Sequence, residues 1–197
     1  MRAMATVPGH PHETDGGLTV LPGGRSVRPR LLVVDVDDDA VLMPFSTGAA
    51  DGDEVPALSP DEARAFSRAV AAGLKVAAVT AFQAESAYRA LKGLPCDVTV
   101  LADGPLDATC SAAERGRLRL ERLSSRCREL GILLRDAAVI ATRPEDCSMM
   151  LETGTAFALE TAGYDACSAA DAIFPSRRRG GLAASIDAVA ALRTRSV

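Results

Sequence analysis

Short apolar runs alternate with stretches of helical period along most of the chain. "RLLVVDV" (30–36), "KVAAVT" (75–80), "DVTVLA" (97–102), "AAVIAT" (137–142), "TAFAL" (155–159) and "AIF" (172–174) have strand length and little polar interruption. Such runs mark strands buried on both faces of a parallel sheet. Helices are predicted over 59–73, 84–94, within 111–130, over 145–154 and over 180–193. In the first of these Ser59 suits the N-cap, Pro60 the first helical position and Glu62 a capping box. Ala63, Phe66 and Val70 mark its buried face, and Gly73 stops it. "AVLMPFS" and "DEVPAL" flank "TGAADG", which predicts a β-hairpin over 41–58, directly after the first strand.

Strands separated by helices of ten or more residues require crossover connections and a sheet covered on both sides. The expected fold is therefore α/β and Rossmann-like, with a mainly parallel sheet. Residues 30–197 are expected to form one domain, with no internal repeat and no insertion long enough for a second domain. Residues 1–29, rich in Pro, Gly and Thr, read as a flexible leader without the apolar core of a signal peptide.

Composition narrows the function. Aromatic residues make up 4% of the 197 and Trp is absent, so Ala, Val and Leu must fill the core. A net charge of -4 argues against a nucleic-acid or bulk anionic-membrane partner, and leaves a small anionic substrate open. No apolar run approaches the roughly 20 residues of a membrane span. Cys96, Cys110, Cys127, Cys147 and Cys167 are odd in number and lack CxxC spacing. They read as free thiols of a cytoplasmic protein. His10 and His12, both in the leader, read as incidental rather than as metal ligands.

In an open parallel sheet, ligands bind at the carboxyl ends of the strands. Those ends deliver Asp35, Asp37, Asp38 and Asp39 from the first strand, and Thr80 from the second. The third supplies Asp103 and Gly104, and the fourth Thr142 and Arg143, with Glu145 and Asp146 opening the next helix. Carboxylates from two strands meeting at one rim would offer oxygens suited to Mg²⁺. Of two acids spaced like Asp35 and Asp37, one can attack phosphorus while the other protonates the leaving oxygen. A DxD at a strand end also reads simply as an acidic cap.

The order of these pieces resembles the haloacid dehalogenase (HAD) superfamily from Leu31 to about Leu192. The spacing is similar to that of its small capless sugar-phosphate phosphatases, typified by 3-deoxy-manno-octulosonate 8-phosphate phosphatase. The hairpin position, the "ETGTAFALETAGYDACSAADAIF" segment and the Gly180-Gly181 pair also follow that pattern. The resemblance makes Asp35 the nucleophile and a Mg²⁺ ligand. It makes Asp37 the acid/base, with its carbonyl on the metal, and Thr80 a holder of a phosphoryl oxygen. Arg119, reached by counting back from "ELGI", falls where that family has a phosphate-binding Lys. Asp146 falls on the second acid of the Gly-Asp-x-x-x-Asp motif, in the metal set. It further implies a small phosphorylated metabolite as ligand and a homo-oligomer, a tetramer built through the hairpin.

The chain departs from that pattern at informative places. Asp38 stands where Gly is usual, and Ala81-Phe82 replaces Gly-Arg. Above all, Thr142 replaces the first, metal-ligating Asp of the fourth motif, and Arg143 follows it. Mg²⁺ binding is weakened accordingly, unless Asp38, Asp39, Glu145 or Asp146 moves in. Two functions stand open: an impaired or altered phosphomonoester hydrolase, and a catalytically silent binding or interaction protein in which Arg143 or Arg119 neutralises the carboxylates. The run Arg177-Arg178-Arg179 reads as a solvated loop or an anion clamp.

Overall fold

The computed structural model describes residues 12–14, 18–20, 28–37, 57–81, 84–94, 98–103 and 110–194. The expected hairpin over 41–58, except its last two residues, lies outside them, as do His10, Asp38, Asp39, Cys96 and Gly104.

The strands are β1 (His12–Thr14), β2 (Leu18–Val20), β3 (Leu31–Asp35), β4 (Lys75–Thr80), β5 (Val98–Ala102), β6 (Ala137–Ala141), β7 (Thr155–Leu159) and β8 (Ala172–Phe174). The helices are α1 (Pro60–Ala71), α2 (Ala84–Ala90), α3 (Ala112–Glu129), α4 (Cys147–Glu152), α5 (Tyr164–Ala169) and α6 (Gly181–Thr194). One sheet runs in the order β1-β2-β8-β7-β6-β3-β4-β5. From β8 to β5 every pairing is parallel, while β2 joins β8, and β1 joins β2, antiparallel. Thus two short strands from the stretch read as a leader extend the sheet at one edge.

The chain fills β3, β4 and β5 in one direction, then crosses back to lay β6, β7 and β8 on the other side of β3. The order reverses between β3 and β6. At such a switch point the flanking loops diverge and leave a crevice at the carboxyl ends of the strands.

Side-chain alternation sorts the core into two layers. Leu32 and Val34 of β3 face α1, α2 and α6, packing with Phe66, Ala87, Leu182 and Ile186. Leu31 and Val33 face α3, α4 and α5, packing with Leu123, Met149 and Ala166. The parity carries Asp35 to the α3 side. Small strand residues such as Ala77, Ala138 and Ala158 let the helices sit close without aromatic filling.

The predicted start of α1 holds: Ser59 and Glu62 form the reciprocal capping box, with Pro60 in the first turn. Its buried face is Glu62, Ala65, Phe66 and Ala69, with Ala63 and Val70 half-buried at the margin. Helix α5 was not foreseen from the sequence. It has six residues and only Ala166 is buried, too little to print a helical period. Before α6, Gly180 takes φ 80°, and a Cβ at Gly181 would lie 1.7 Å from the Pro175 carbonyl oxygen. The double glycine is thus what lets the chain turn into α6.

Candidate functional site

The site begins where β3 runs out. Val36 N–H still donates to the Val79 carbonyl at 3.0 Å, and the chain then turns. Asp37 N–H donates back to Asp35 Oδ1 at 2.9 Å, so the two acids are fixed relative to each other. The Asp37 carboxylate accepts from Thr80 Oγ1 at 2.6 Å and from the Ala81 N–H. Its main-chain carbonyl accepts from the Thr142 hydroxyl at the end of β6. The crossover between β3, β4 and β6 therefore meets on one residue.

Arg119 enters from α3. It is 1% exposed and is the largest fully buried side chain among the described residues. Its Nε and Nη2 donate to Asp103, the latter at 2.7 Å. Its Nη1 donates to Asp146 Oδ1 at 2.7 Å and to Asp35 Oδ2 at 3.1 Å. A planar fork with donors on three nitrogens can serve three carboxylates at once; a Lys ammonium in its place would be a point charge. Asp146 Oδ2 accepts from the Thr142 and Arg143 N–H groups, closing the turn from which Arg143 projects.

Two further arginines hold α3 in register. Arg122 donates to the Ala102 and Asp103 carbonyls at the end of β5. Arg115 donates to Glu145 and to the Cys110 carbonyl. Gly116 permits the close approach between them. A Cβ there would meet the Glu145 carbonyl at 2.7 Å and Ser148 Oγ at 2.8 Å.

Arg143 completes the cluster. Its Nε donates to Asp35 Oδ2 at 3.0 Å and its Nη2 to Asp37 Oδ2 at 2.8 Å. One side chain thus spans both acids of the DxD. The side chain of Asp35 is 0% exposed and that of Arg143 13%.

The electrostatics follow from the burial. Desolvation favours the neutral form of Asp35, yet Arg119 and Arg143 overcome it and hold the carboxyl below its ordinary range. Asp37 is pushed up to about 6, by burial first and the Asp35 charge second, against Arg143 and Thr80. Asp146 is raised well above its ordinary value by burial and the charge of Asp35. Asp35, Asp37, Asp103 and Asp146 outnumber the guanidiniums of Arg119 and Arg143, and burial together with this surplus of negative charge is what raises Asp37 and Asp146.

As arranged, these groups do not fit Mg²⁺, which requires free hard oxygens in near-octahedral array. Asp35 Oδ1 accepts a backbone N–H and Oδ2 accepts two guanidinium donors. The Asp37 carbonyl is capped by Thr142, and Thr142 brings a hydroxyl rather than an anion. Among the described residues no three His, Cys, Asp or Glu side chains are disposed to hold a metal ion.

The structure brings Asp35, Asp37, Thr80, Arg119 and Asp146 into one contiguous network with Thr142 and Arg143. Asp103 is a strand-end acid in the sequence with no evident partner; its link to Arg119 depends on which face of α3 meets β5. The run Arg177-Arg178-Arg179 is expected to be a solvated loop or an anion clamp, and Arg177 departs from both. It is buried instead, donating to both Glu62 oxygens at 2.6 and 2.9 Å and to the Val36 carbonyl at 3.2 Å. It pins the backbone between Asp35 and Asp37. The only sequence hint was Glu62, an acid spaced onto the buried face of α1.

No family model matches the chain, and no curated protein does. Solved structures do match. A 3-deoxy-D-manno-octulosonate 8-phosphate phosphatase from Moraxella catarrhalis, with magnesium, phosphate and KDO bound, is 17% identical with a TM-score of 0.64. That match covers 86% of this chain and 90% of that one. The cobalt-bound deoxy-D-mannose-octulosonate 8-phosphate phosphatase (YrbI) from Haemophilus influenzae is 15% identical over 84% of this chain and 90% of its own, with a TM-score of 0.64. The one from Yersinia pestis is 17% identical over 86% of this chain and 84% of its own, with a TM-score of 0.63. The fold is the one these solved phosphatase structures share, and among the described residues no cap is evident.

Proposed function

We propose that this chain is a catalytically silent relative of the HAD phosphatases, a binding or interaction protein rather than a Mg²⁺-dependent phosphomonoesterase. One observation carries the reading: Arg119 and Arg143 both donate to Asp35 Oδ2. A carboxylate attacks through an available lone pair, and two charge-assisted hydrogen bonds draw electron density from this one. Arg143 also ties up Asp37, the group that would protonate the leaving oxygen. A phosphate dianion would have to win the same guanidiniums from carboxylates buried beside them. Assembly as a homo-oligomer in the cytoplasm belongs to this proposal. No described helix is long and apolar enough to cross a membrane.

A second reading is favoured by the intact Asp35–Asp37–Thr80 geometry. In it the chain hydrolyses a small sugar phosphate or related metabolite once Arg143 withdraws. Asp35 would attack, Asp37 would act as acid/base, Thr80 and Arg119 would hold the phosphoryl group, and Asp146 would support the metal set. A panel of phosphate esters, assayed with Mg²⁺ beside Asp35→Asn, separates the two. The silent reading expects no Asp35-dependent release of phosphate. Release that Asp35→Asn abolishes establishes the hydrolase.

A further inference from the structure

We infer that the guanidinium of Arg143, with the hydroxyl of Thr142, is a built-in substitute for a divalent cation, and that metal affinity is latent beneath it. The inference rests on the reading of a silent site and specifies what silences it.

The argument starts from charge. Four buried acids at the carboxyl ends of β3, β5 and β6 demand nearby positive charge. Arg119 serves Asp103 with two nitrogens and reaches Asp35 and Asp146 with the third. None of these hydrogen bonds goes to Asp37. Arg143 fills that gap, joining Asp35 Oδ2 to Asp37 Oδ2. A cation placed between two carboxylates from one strand end is what a hard metal ion would provide; here the side chain provides it from within.

Thr142 makes the substitution stable. Its hydroxyl donates to the Asp37 carbonyl, whereas a carboxylate there would present an acceptor to an acceptor and need a cation between them. Hydroxyl and guanidinium are therefore complementary. With Thr at 142, the Asp37 carbonyl is satisfied without metal; with Arg at 143, the two carboxylates are too. Replacing both reverses both. Thr142→Asp sets an anionic oxygen beside the Asp37 carbonyl, and Arg143→Ala relieves Asp35 Oδ2 of one of its two guanidinium donors, leaving Arg119 Nη1. Three oxygens from three residues then converge, a set of hard ligands that water can complete around a cation.

The test is titration of the full chain with Mn²⁺, followed by electron paramagnetic resonance of the free ion. Wild type shows no saturable uptake at millimolar Mn²⁺. Thr142→Asp/Arg143→Ala takes up one Mn²⁺ per chain, and adding Asp35→Asn abolishes it. Circular dichroism checks that each variant is folded. If the double variant does not fold, Arg143→Ala alone is titrated, and at least a tenfold gain in Mn²⁺ affinity over wild type is expected. Stoichiometric, Asp35-dependent Mn²⁺ binding by wild type would overturn the inference, as would no gain in a folded variant. Turnover of phosphate esters by wild type in chelator would overturn the functional reading and leave this inference standing. Mn²⁺ binding by wild type without turnover would do the opposite.

Discussion

Arg143 Nε lies 3.0 Å from Asp35 Oδ2, the same oxygen that accepts from Arg119. The residue that the resemblance makes the nucleophile thereby accepts from two guanidiniums on one oxygen and from the Asp37 N–H on the other. Its neighbours treat it as a counter-ion.

Arg119 holds three buried acids, so its loss leaves charge without compensation. Arg119→Met is expected to destabilise the fold by about 3–5 kcal/mol, the usual cost of breaking a buried ion pair. Arg119→Lys keeps the charge but cannot reach Asp103, Asp146 and Asp35 together, and falls between wild type and Met. Urea unfolding curves of the three proteins check the order.

Stability should depend on pH through Asp37. Folded, it keeps its proton to about pH 6; unfolded, it releases it near the ordinary value of 3.8. Between those values the folded state binds more protons. This contribution is fully present below the unfolded value and is lost as pH rises through 6, about 3 kcal/mol in all. Asp146 acts in the same sense, and Asp35, whose folded value is lowered, acts oppositely below pH 4. The melting temperature should fall between pH 4.5 and 6.5, and Asp37→Asn should flatten that slope.

The strands, the capping box of α1 and the gathering of acids at one rim were legible in the sequence because each rests on local pattern. Leu31 to Val34 announce a strand buried on both sides, and Asp35 must follow at its end. That Arg143 or Arg119 could neutralise the acids was legible as one of two alternatives; which of the two holds was not. Whether a guanidinium points into a carboxylate cluster or away from it depends on helix register and turn geometry, here set by Gly116 and by the Asp146 carboxylate. Arg177 misled for a related reason. Three successive arginines look solvated, and only the packing of the turn before α6 against α1 buries the first of them.

Gly116 should therefore be sensitive to a single methyl group. Gly116→Ala places a Cβ against the Glu145 carbonyl and pushes α3 from the turn that carries Arg143. A loss of about 1–3 kcal/mol is expected despite the better helix former, since overpacking outweighs propensity. Thermal denaturation of the variant beside wild type checks the sign.

The arginine run offers an internal control. Arg177→Ala leaves buried Glu62 without its partner and should cost about 3 kcal/mol or more. Arg179→Ala removes an exposed pair with Glu160 and should cost under about 1 kcal/mol. Equal losses would show that the difference in burial carries no weight.

The most direct measurement is of Arg143 itself. In protein carrying ¹⁵N-labelled arginine, the Arg143 Nε–H is expected as a downfield resonance in slow exchange with water at neutral pH. It should be unchanged by excess Mg²⁺ and lost in Asp35→Asn. An Arg143 Nε–H that exchanges as fast as those of exposed arginines, or that is released when Mg²⁺ is added, would contradict the account.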